Sequence, residues 1–366
     1  VSADRDFPPF PRATRDGYAV RASDLATLPA KLAVIGEIRA GASSRLTVAR
    51  GQAVAIMTGA PVPAGADAVV MVEYTAQDGD SVEITKGVFA GENVVAAGAE
   101  AHAGDQLLAE GARMDQSGIA VAASVGKTRL RVYVRPRVAI LATGDEIVDI
   151  SARPNAVQIR NSNSYSLAAQ VRAAGGEPAI LPIAPDEPDR LRELMVEGLN
   201  ADLLLISGGV SMGKHDLVEQ VLADLGAEFF FTGALIQPGR PIVFGRAKTT
   251  ASAAHTYFFG LPGNPVSTMV TFQLFVRSAI AALSGAKLDE LVWLYAKLKS
   301  EVKTKVGLTR FLPAVLSGEF DQPTVELVPW QGSGDMAATA QANCYAVIPP
   351  DRDRIAAGEW MAVMMK

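Results

Sequence analysis

The chain has 366 residues, 49 % of them apolar and 20 % charged, with a net charge of −5. This length accommodates about two to three domains with ample cores, and the acidic balance argues against a general nucleic-acid or membrane-surface binder. The single cysteine, Cys344, excludes an internal disulfide and a cysteine-cluster zinc site; His102, His215 and His255 are not at metal-ligand spacing from one another.

Residues 1–15 are proline-rich (Pro8, Pro9, Pro11) and read as an irregular lead-in. No charged segment followed by an apolar one opens the chain, so a cytosolic protein is expected. Asp16-Gly17-Tyr18-Ala19-Val20 reads as a turn entering a strand, with Asp16 in the turn. From 31 to 108, short β-runs (32–38, 53–57, 68–73, 81–85) are separated by glycine and proline, which predicts an all-β module. The segment 114–124 is the only helical candidate before the next region.

From Arg137 strand and helix alternate. A buried strand, 138–142, ends at Thr143-Gly144-Asp145-Glu146; a helix over 163–174 stops at Gly175-Gly176; a strand follows at 179–183. Asp186 reads as the cap of a helix with Pro188 in its first turn and Leu191, Leu194 and Met195 on its buried face. The wholly apolar run 203–206 predicts a strand buried on both faces. It stops at Ser207-Gly208-Gly209, and Asp216 reads as the N-cap of a helix over 217–225 closed by Gly226. Strand, glycine turn and helix N-terminus together suit phosphate or another oxyanion; a mere tight βα corner explains the glycines equally well. Strands are predicted at 229–236, 241–244 and 257–261, then a long helix from Pro265. Gln273 and Arg277 lie in the middle of its apolar segment 266–283, which favours a core helix over a membrane span.

Repeated βα units imply a mostly parallel sheet covered on both faces. Beyond Gly285, short strands at 292–302, 310–316, 324–328, 345–348 and 359–364 predict a small β-barrel or sandwich. Phe229-Phe230-Phe231 reads as sheet core, and Trp293, Trp330 and Trp360 as packing in the last domain.

In a parallel α/β sheet ligands bind beyond the carboxyl ends of the strands. Asp145, Glu146, Asp186, Gly208, Gly209, Ser211 and the turn Pro262-Gly263-Asn264-Pro265-Val266-Ser267 all fall at that edge. Asn264 is placed as an N-cap and Pro265 as the first helical residue, with the Ser267 hydroxyl at the helix N-terminus. Carboxylates beside an anion repel it unless a cation stands between them. Asp145 and Asp186 therefore read as ligands of a hard ion, or as partners of its ligands, and magnesium fits; the alternative is a turn residue and a helix cap. Gln237-Pro238-Gly239-Arg240-Pro241 is a rigid turn presenting a guanidinium suited to an oxyanion. Arg310 and Ser333 by themselves read as surface residues.

These residues, taken together, resemble the molybdopterin molybdenumtransferase family, that of MoeA and the gephyrin E domain. The resemblance runs from Phe7 to the C-terminus. It is carried by Asp16-Gly17-Tyr18-Ala19-Val20, Ile56-Met57-Thr58-Gly59-Ala60-Pro61-Val62-Pro63, Ala142-Thr143-Gly144-Asp145-Glu146, Arg160-Asn161-Ser162-Asn163, Ser207-Gly208-Gly209-Val210-Ser211-Met212-Gly213 and Leu261-Pro262-Gly263-Asn264-Pro265-Val266-Ser267. Any one is weak; six in the family's order are specific. The implied fold is multidomain α/β plus β. It comprises a small helical bridging domain (1–30 and 106–135, without the helical segment expected before Phe7) and a β-rich module (31–105). A doubly wound, mostly parallel α/β domain (136–285) and a C-terminal β-barrel (286–366) follow.

The implied activity inserts molybdenum from molybdate into adenylated molybdopterin with magnesium, releasing AMP. An elongated homodimer is implied, and molybdopterin adenylyltransferase and molybdoenzyme acceptors as partners. By the resemblance Asp16, Glu100, Asp145 and Asp186 are the catalytic acids, with Asp145 and Asp186 on magnesium and Asp16 reaching in from the β-module. Thr58, Thr143, Gly144, Gly208, Gly209, Ser211, Gly213, Asp216, Gly239, Arg240, Pro262, Gly263 and Asn264 bind the substrate, while Pro238, Ser267, Arg310 and Ser333 line the molybdate end. The chain departs from the family at Gln237, where lysine is common, and at Gly98-Ala99-Glu100 in place of Gly-Glu-Asp. It departs again at Val95-Ala96-Ala97 in place of basic residues, and at Arg15 in place of methionine. The departures at Gln237 and Glu100 favour one alternative, a homologue that holds molybdopterin or a protein partner without turnover; a second alternative is a pyrophosphatase acting on another adenylated substrate.

Overall fold

Strand signals dominate the first third of the chain, and the structure pairs them into one sheet. The computed structural model describes residues 1–42, 45–209, 217–248, 255–286 and 291–366, in two units, Val1–Arg131 and Val132–Lys366. The first unit holds β1 (Gly17–Val20), β2 (Ala30–Ile38), β3 (Gln52–Ile56), β4 (Ala68–Met71), β5 (Thr75–Asp78) and β6 (Ser81–Ile84) in the order β4-β1-β3-β2-β6-β5. Alternate residues feed two cores, one around Tyr18, Val20, Val70 and Ile84 and the other around Ala19, Val54, Ile56 and Val69. The β-rich module implied by the resemblance begins at residue 31, and β1, before it, pairs with β3 and β4 in the same sheet. Only tertiary pairing reveals this, because a four-residue strand carries almost no periodic signal. The lead-in is tied to the same unit: Arg12–Ala13 pairs with Val94–Val95, and Phe7 bridges to Ala101. The helix α1 (Gln116–Ser124) starts at Asp115, whose carboxylate accepts the Gly118 amide at 2.8 Å.

The second unit begins with β7 (Arg137–Ala142), α2 (Asn163–Ala173), β8 (Glu177–Ile180), α3 (Pro188–Gly198) and β9 (Leu203–Ser207). It continues through α4 (Leu217–Asp224), β10 (Glu228–Phe231), β11 (Ile236–Gln237), β12 (Val243–Lys248), β13 (His255–Leu261) and α5 (Pro265–Thr271). The sheet order is β8-β7-β9-β13-β12-β10. β8, β7, β9 and β13 are parallel, and β12 and β10 add antiparallel. The run expected over 229–236 is split, because β11 leaves this sheet for the next domain.

Both sheet faces are buried. Leu191, Leu194 and Met195 of α3 and Val218, Val221 and Leu222 of α4 cover Leu141, Leu204, Ile206 and Phe258. On the other face Leu167 and Val171 of α2 join Phe272, Val276 and Ile280 over Ile140, Leu203, Leu205 and Phe259. α5 runs on through a π-helical turn (Phe272–Val276) into α6 (Arg277–Leu283). The span Pro265–Leu283 is long and apolar enough to cross a membrane, but half of it is buried in this fold, as a core helix requires. Phe229 and Phe231 pack into the core and Phe230 is 44 % exposed.

The last domain contains β14 (Trp293–Leu298), β15 (Thr309–Ser317), β16 (Thr324–Leu327), α7 (Met336–Gln341), β17 (Cys344–Ile348) and β18 (Trp360–Met365). Its strands run β15-β16-β14-β18-β17, and the β15–β17 pairing closes them into a barrel. Closure decides between barrel and sandwich. Trp293 and Trp360 differ from the expected packing role: they stand 43 % and 53 % exposed on the outside, since their strand positions face away from the Ala296, Val325 and Val363 interior.

A β-carbon on Gly17 would sit 1.8 Å from the Val70 carbonyl oxygen, and paired backbone cannot move aside. Gly17→Ala is expected to cost at least about 3 kcal/mol, read as an early unfolding transition of the first unit; a wild-type melting curve would contradict the close packing of β1 on β4. Cys344 is fully buried and its thiol is pushed up to about 11 by that burial. It is expected to resist aromatic disulfide reagents at pH 8 until denaturant is added, and immediate labelling of native protein would contradict this.

Candidate functional site

The site is built where three parallel strands stop. Thr143 follows β7, Gly208 and Gly209 follow β9, and Pro262 follows β13. Ser207 is the register partner of both Ala142 and Leu261. The Thr143 amide donates to the Ser207 carbonyl at 3.0 Å, and the Gly208 amide to the Leu261 carbonyl at 3.2 Å. Gly208 and Gly209 have φ of +95° and +64°. A β-carbon on Gly208 would lie 2.7 Å from the Thr143 carbonyl oxygen, and one on Gly209 would lie 2.5 Å from Val218. These glycines are thus required by conformation and by space, and they leave backbone open to a ligand.

Asp145 and Asp186 are both exposed at this edge. Their link is specific: the Asp186 amide donates to Asp145 Oδ1 at 3.1 Å. Asp186 is not the cap of α3, however. Glu187 occupies that position, with Pro188 first in the helix and no side-chain cap bond. Proline at the first helical position has no amide to leave unpaired, and Asp186, one residue before the cap position, lends its backbone amide to the Asp145 loop. Glu146 also stands at this edge, as its place after the first strand implies: its carboxylate lies within 2.5–2.9 Å of the point a Gly144 β-carbon would occupy.

Beyond Pro262 the edge continues as a cleft of about 320 Å³. Pro238, Gly239, Arg240, Pro262, Asn264, Ser267 and Ser333 line it with Gln237, Leu308 and Trp330. No carboxylate lines this cleft among the described residues, and Arg240 is its one cation. Arg240 has no ion-pair partner among the described residues, so its guanidinium is available to an anion. Asn264 occupies the N-cap position of α5 without a side-chain bond; the Val266 amide donates instead to the Ser333 carbonyl at 3.0 Å. One helix amide is therefore spent on the barrel loop rather than on ligand, and that bond brings Ser333 to the cleft.

Arg310 differs from its expected surface setting. It is 8 % exposed, and its Nη1 donates to the carbonyls of Lys305 and Leu308. Arg310 is paired in register with Gln237 through β11 and β15, so it braces the base of the Gln237–Arg240 turn. Trp330, read from sequence as packing, is half-buried against Val328 and Ala338 and also lines the cleft. A lone aromatic in a turn-rich stretch gave no sign of this.

Asp16, Thr58 and Glu100 belong to the first unit. Asp16 Oδ1 accepts the Thr58 amide at 2.6 Å and the Thr58 hydroxyl at 2.8 Å. Those two bonds, the amide's first, hold its carboxyl below the ordinary range. Glu100 is exposed and paired with Arg12 at 2.6 Å. Ser211, Gly213 and Asp216 lie outside the described residues. No group of three or more His, Cys, Asp or Glu side chains able to hold a metal occurs among the described residues.

Three family models match the chain: the MoeA N-terminal region (domain I and II) over residues 1–126, a probable molybdopterin binding domain over 139–282, and the MoeA C-terminal region (domain IV) over 295–365. A molybdopterin molybdenumtransferase of Nostoc sp. is 37 % identical over the whole chain and 84 % of its own length. That of Bacillus subtilis is 33 % identical over the whole chain and 86 % of its own. A solved structure, the molybdopterin biosynthesis moeA protein of Pyrococcus horikoshii OT3, superposes with a TM-score of 0.79 at 28 % identity, covering the whole chain and 90 % of that protein.

Because Thr58 holds Asp16 only while Asp16 is ionised, the contact stabilises the fold above the unfolded carboxyl pKa of about 3.9. It is lost as pH falls through the lower folded value. Thr58→Val is expected to lower the melting temperature at pH 7 and to converge on wild type at an acid pH where Asp16 is protonated in both states. A stability gap that is the same at both pH values would contradict it.

Proposed function

As a member of the MoeA family of molybdopterin molybdenumtransferases, transferases of molybdenum-cofactor biosynthesis, the chain is one for which we propose a complete insertase reaction. In it, adenylated molybdopterin, molybdate and magnesium give molybdenum cofactor and AMP. The observation that carries this reading is the continuity of the edge. Thr143, Gly208 and Pro262 stand side by side, with Asp145 and Asp186 at one end and, at the other, the cleft that no described carboxylate lines. A phosphoanhydride and a tetrahedral oxyanion need those two environments next to each other.

On this reading the backbone left open by the missing β-carbons of Gly208 and Gly209, with the Gly209 amide, receives the substrate's phosphates, with Thr143, Gly144 and Gly263 beside them. Arg240 and the Asn264, Ser267 and Ser333 side chains bind molybdate in the cleft, Pro238 and Gly239 shape its wall, and Arg310 holds that wall in place. One or two carboxylates from this edge match the sparse protein donor set of magnesium, which completes its shell with phosphate and water. Asp145 and Asp186 would hold it. Bound there, magnesium would neutralise charge on the phosphoanhydride. Holding the two substrates together on one rigid edge supplies the approach. Asp16, Thr58 and Glu100 would complete the site from the first unit of a partner subunit in a homodimer, and Ser211, Gly213 and Asp216 from the loop after Gly209. The same reading puts the protein in the cytosol.

Arg240 as the cleft's single cation among the described residues, with Gln237 neutral beside it, favours a second reading in which molybdopterin is held without turnover. Purified protein supplied with adenylated molybdopterin, molybdate and magnesium is expected to release AMP in proportion to molybdate consumed. Binding without AMP would support the second reading, and AMP release indifferent to molybdate would point to a pyrophosphatase. Asp145→Asn is expected to lower magnesium-dependent release at least about 100-fold with an unchanged circular-dichroism spectrum. Wild-type rates in that variant would remove the metal role.

A further inference from the structure

The motif Arg160-Asn161-Ser162-Asn163 has no part in the reaction as described so far. Its backbone is anchored beside the Asp145 loop. Ile159–Arg160 pairs with Ile147–Val148, and the Asn161 amide donates to the Val148 carbonyl at 2.9 Å. Asn161 Oδ1 accepts the Ser164 amide at 3.1 Å and so sets the entry of α2. That leaves Asn163, the first residue of α2, aimed at the sheet edge. Its Nδ2 donates to Ser207 Oγ at 2.8 Å and to the Gly263 carbonyl at 2.8 Å. A carbonyl only accepts, so the Gly263 contact fixes which way the amide faces.

These two partners belong to different turns. Ser207 leads directly into Gly208-Gly209, and Gly263 leads into Asn264 and Ser267 on the cleft wall. The turns are in contact: a β-carbon on Gly263 would lie 3.6 Å from the Gly208 α-carbon. One side-chain amide nitrogen therefore spans the junction between them. We infer that Asn163 is a positioning residue that sets the separation of the Gly208–Gly209 turn from the Pro262–Ser267 turn. This rests on the reading in which the first turn holds phosphate and the second the oxyanion. Without the clamp each turn still binds its group, but the two groups are held out of line, and misplacement by an ångström is enough to slow a reaction steeply.

Asn163→Asp keeps the volume while removing both donors and setting a carboxylate against the Gly263 carbonyl. The full chain bearing it is expected to show faster hydrogen exchange in peptides covering 205–209 and 261–267, with exchange in 137–142 unchanged. In AMP release, kcat is expected to fall at least about tenfold while KM for adenylated molybdopterin moves by less than about threefold. A double-mutant cycle tests the named contact: Asn163→Ala with Ser207→Ala is expected to be no slower than Asn163→Ala alone. Additive losses, unchanged exchange, or wild-type kcat in Asn163→Asp would each overturn the inference. Asn163→Ser carries the same exchange measurement should Asn163→Asp not fold. Wild-type protein that releases no AMP would overturn the proposed function, and the exchange data would then decide the clamp alone.

Discussion

Ala142, Ser207 and Leu261 sit at one level across three parallel strands, and the rest of the second unit depends on that register. Parallel pairing forces every strand in the set to leave the sheet at the same edge, so the loops after β7, β9 and β13 converge without any long-range steering. The register is held in turn by burial on both faces. Leu203 and Leu205 face α2 and the α5–α6 helix while Leu204 and Ile206 face α3 and α4. Slipping β9 by one residue would exchange these sets.

Charge separation along that edge follows from which loop supplies it. The β7 loop contributes Asp145 and Glu146, and the loop before α3 contributes Asp186 (the source of the amide that Asp145 accepts). The β13 turn and the β11–β12 turn contribute only amides, hydroxyls and one guanidinium. An acidic chain can thus present a locally anion-friendly cleft, because neutral donors at short range outweigh a weak and screened global field. The C-terminal barrel makes this cleft possible. β11 pairs in parallel with β15, and the Val266 amide is bonded to Ser333, so the barrel is hydrogen-bonded to both walls rather than tethered by a linker.

Much of the architecture was legible in the sequence for reasons that are local. The run 203–206 could hardly be anything but a buried strand, Pro265 could only open a helix, and Gly208-Gly209 had to be a turn. The edge itself followed from counting βα units. The misreadings have a common cause. Asp186 was read as a helix cap because capping is judged from neighbours in sequence, whereas Glu187 and Pro188 had already taken that role. Arg310 differs from a surface residue because a lone charged side chain at a strand start is usually solvated, whereas here it is enclosed by carbonyls five and two residues earlier in the chain.

Local patterning and turn chemistry alone determined the order of modules, the strands and helices of the α/β domain, and the line of glycines, prolines and carboxylates that ends them. Tertiary structure decided that the last strands close into a barrel, that β1 lies inside the first sheet between β4 and β3, and that Trp330 and Ser333 meet Pro238 and Ser267 in one cleft. The physical reason is range. Periodicity and capping act over one or two turns of chain, while register, closure and the meeting of loops are settled by hydrogen bonds and packing between residues far apart in sequence.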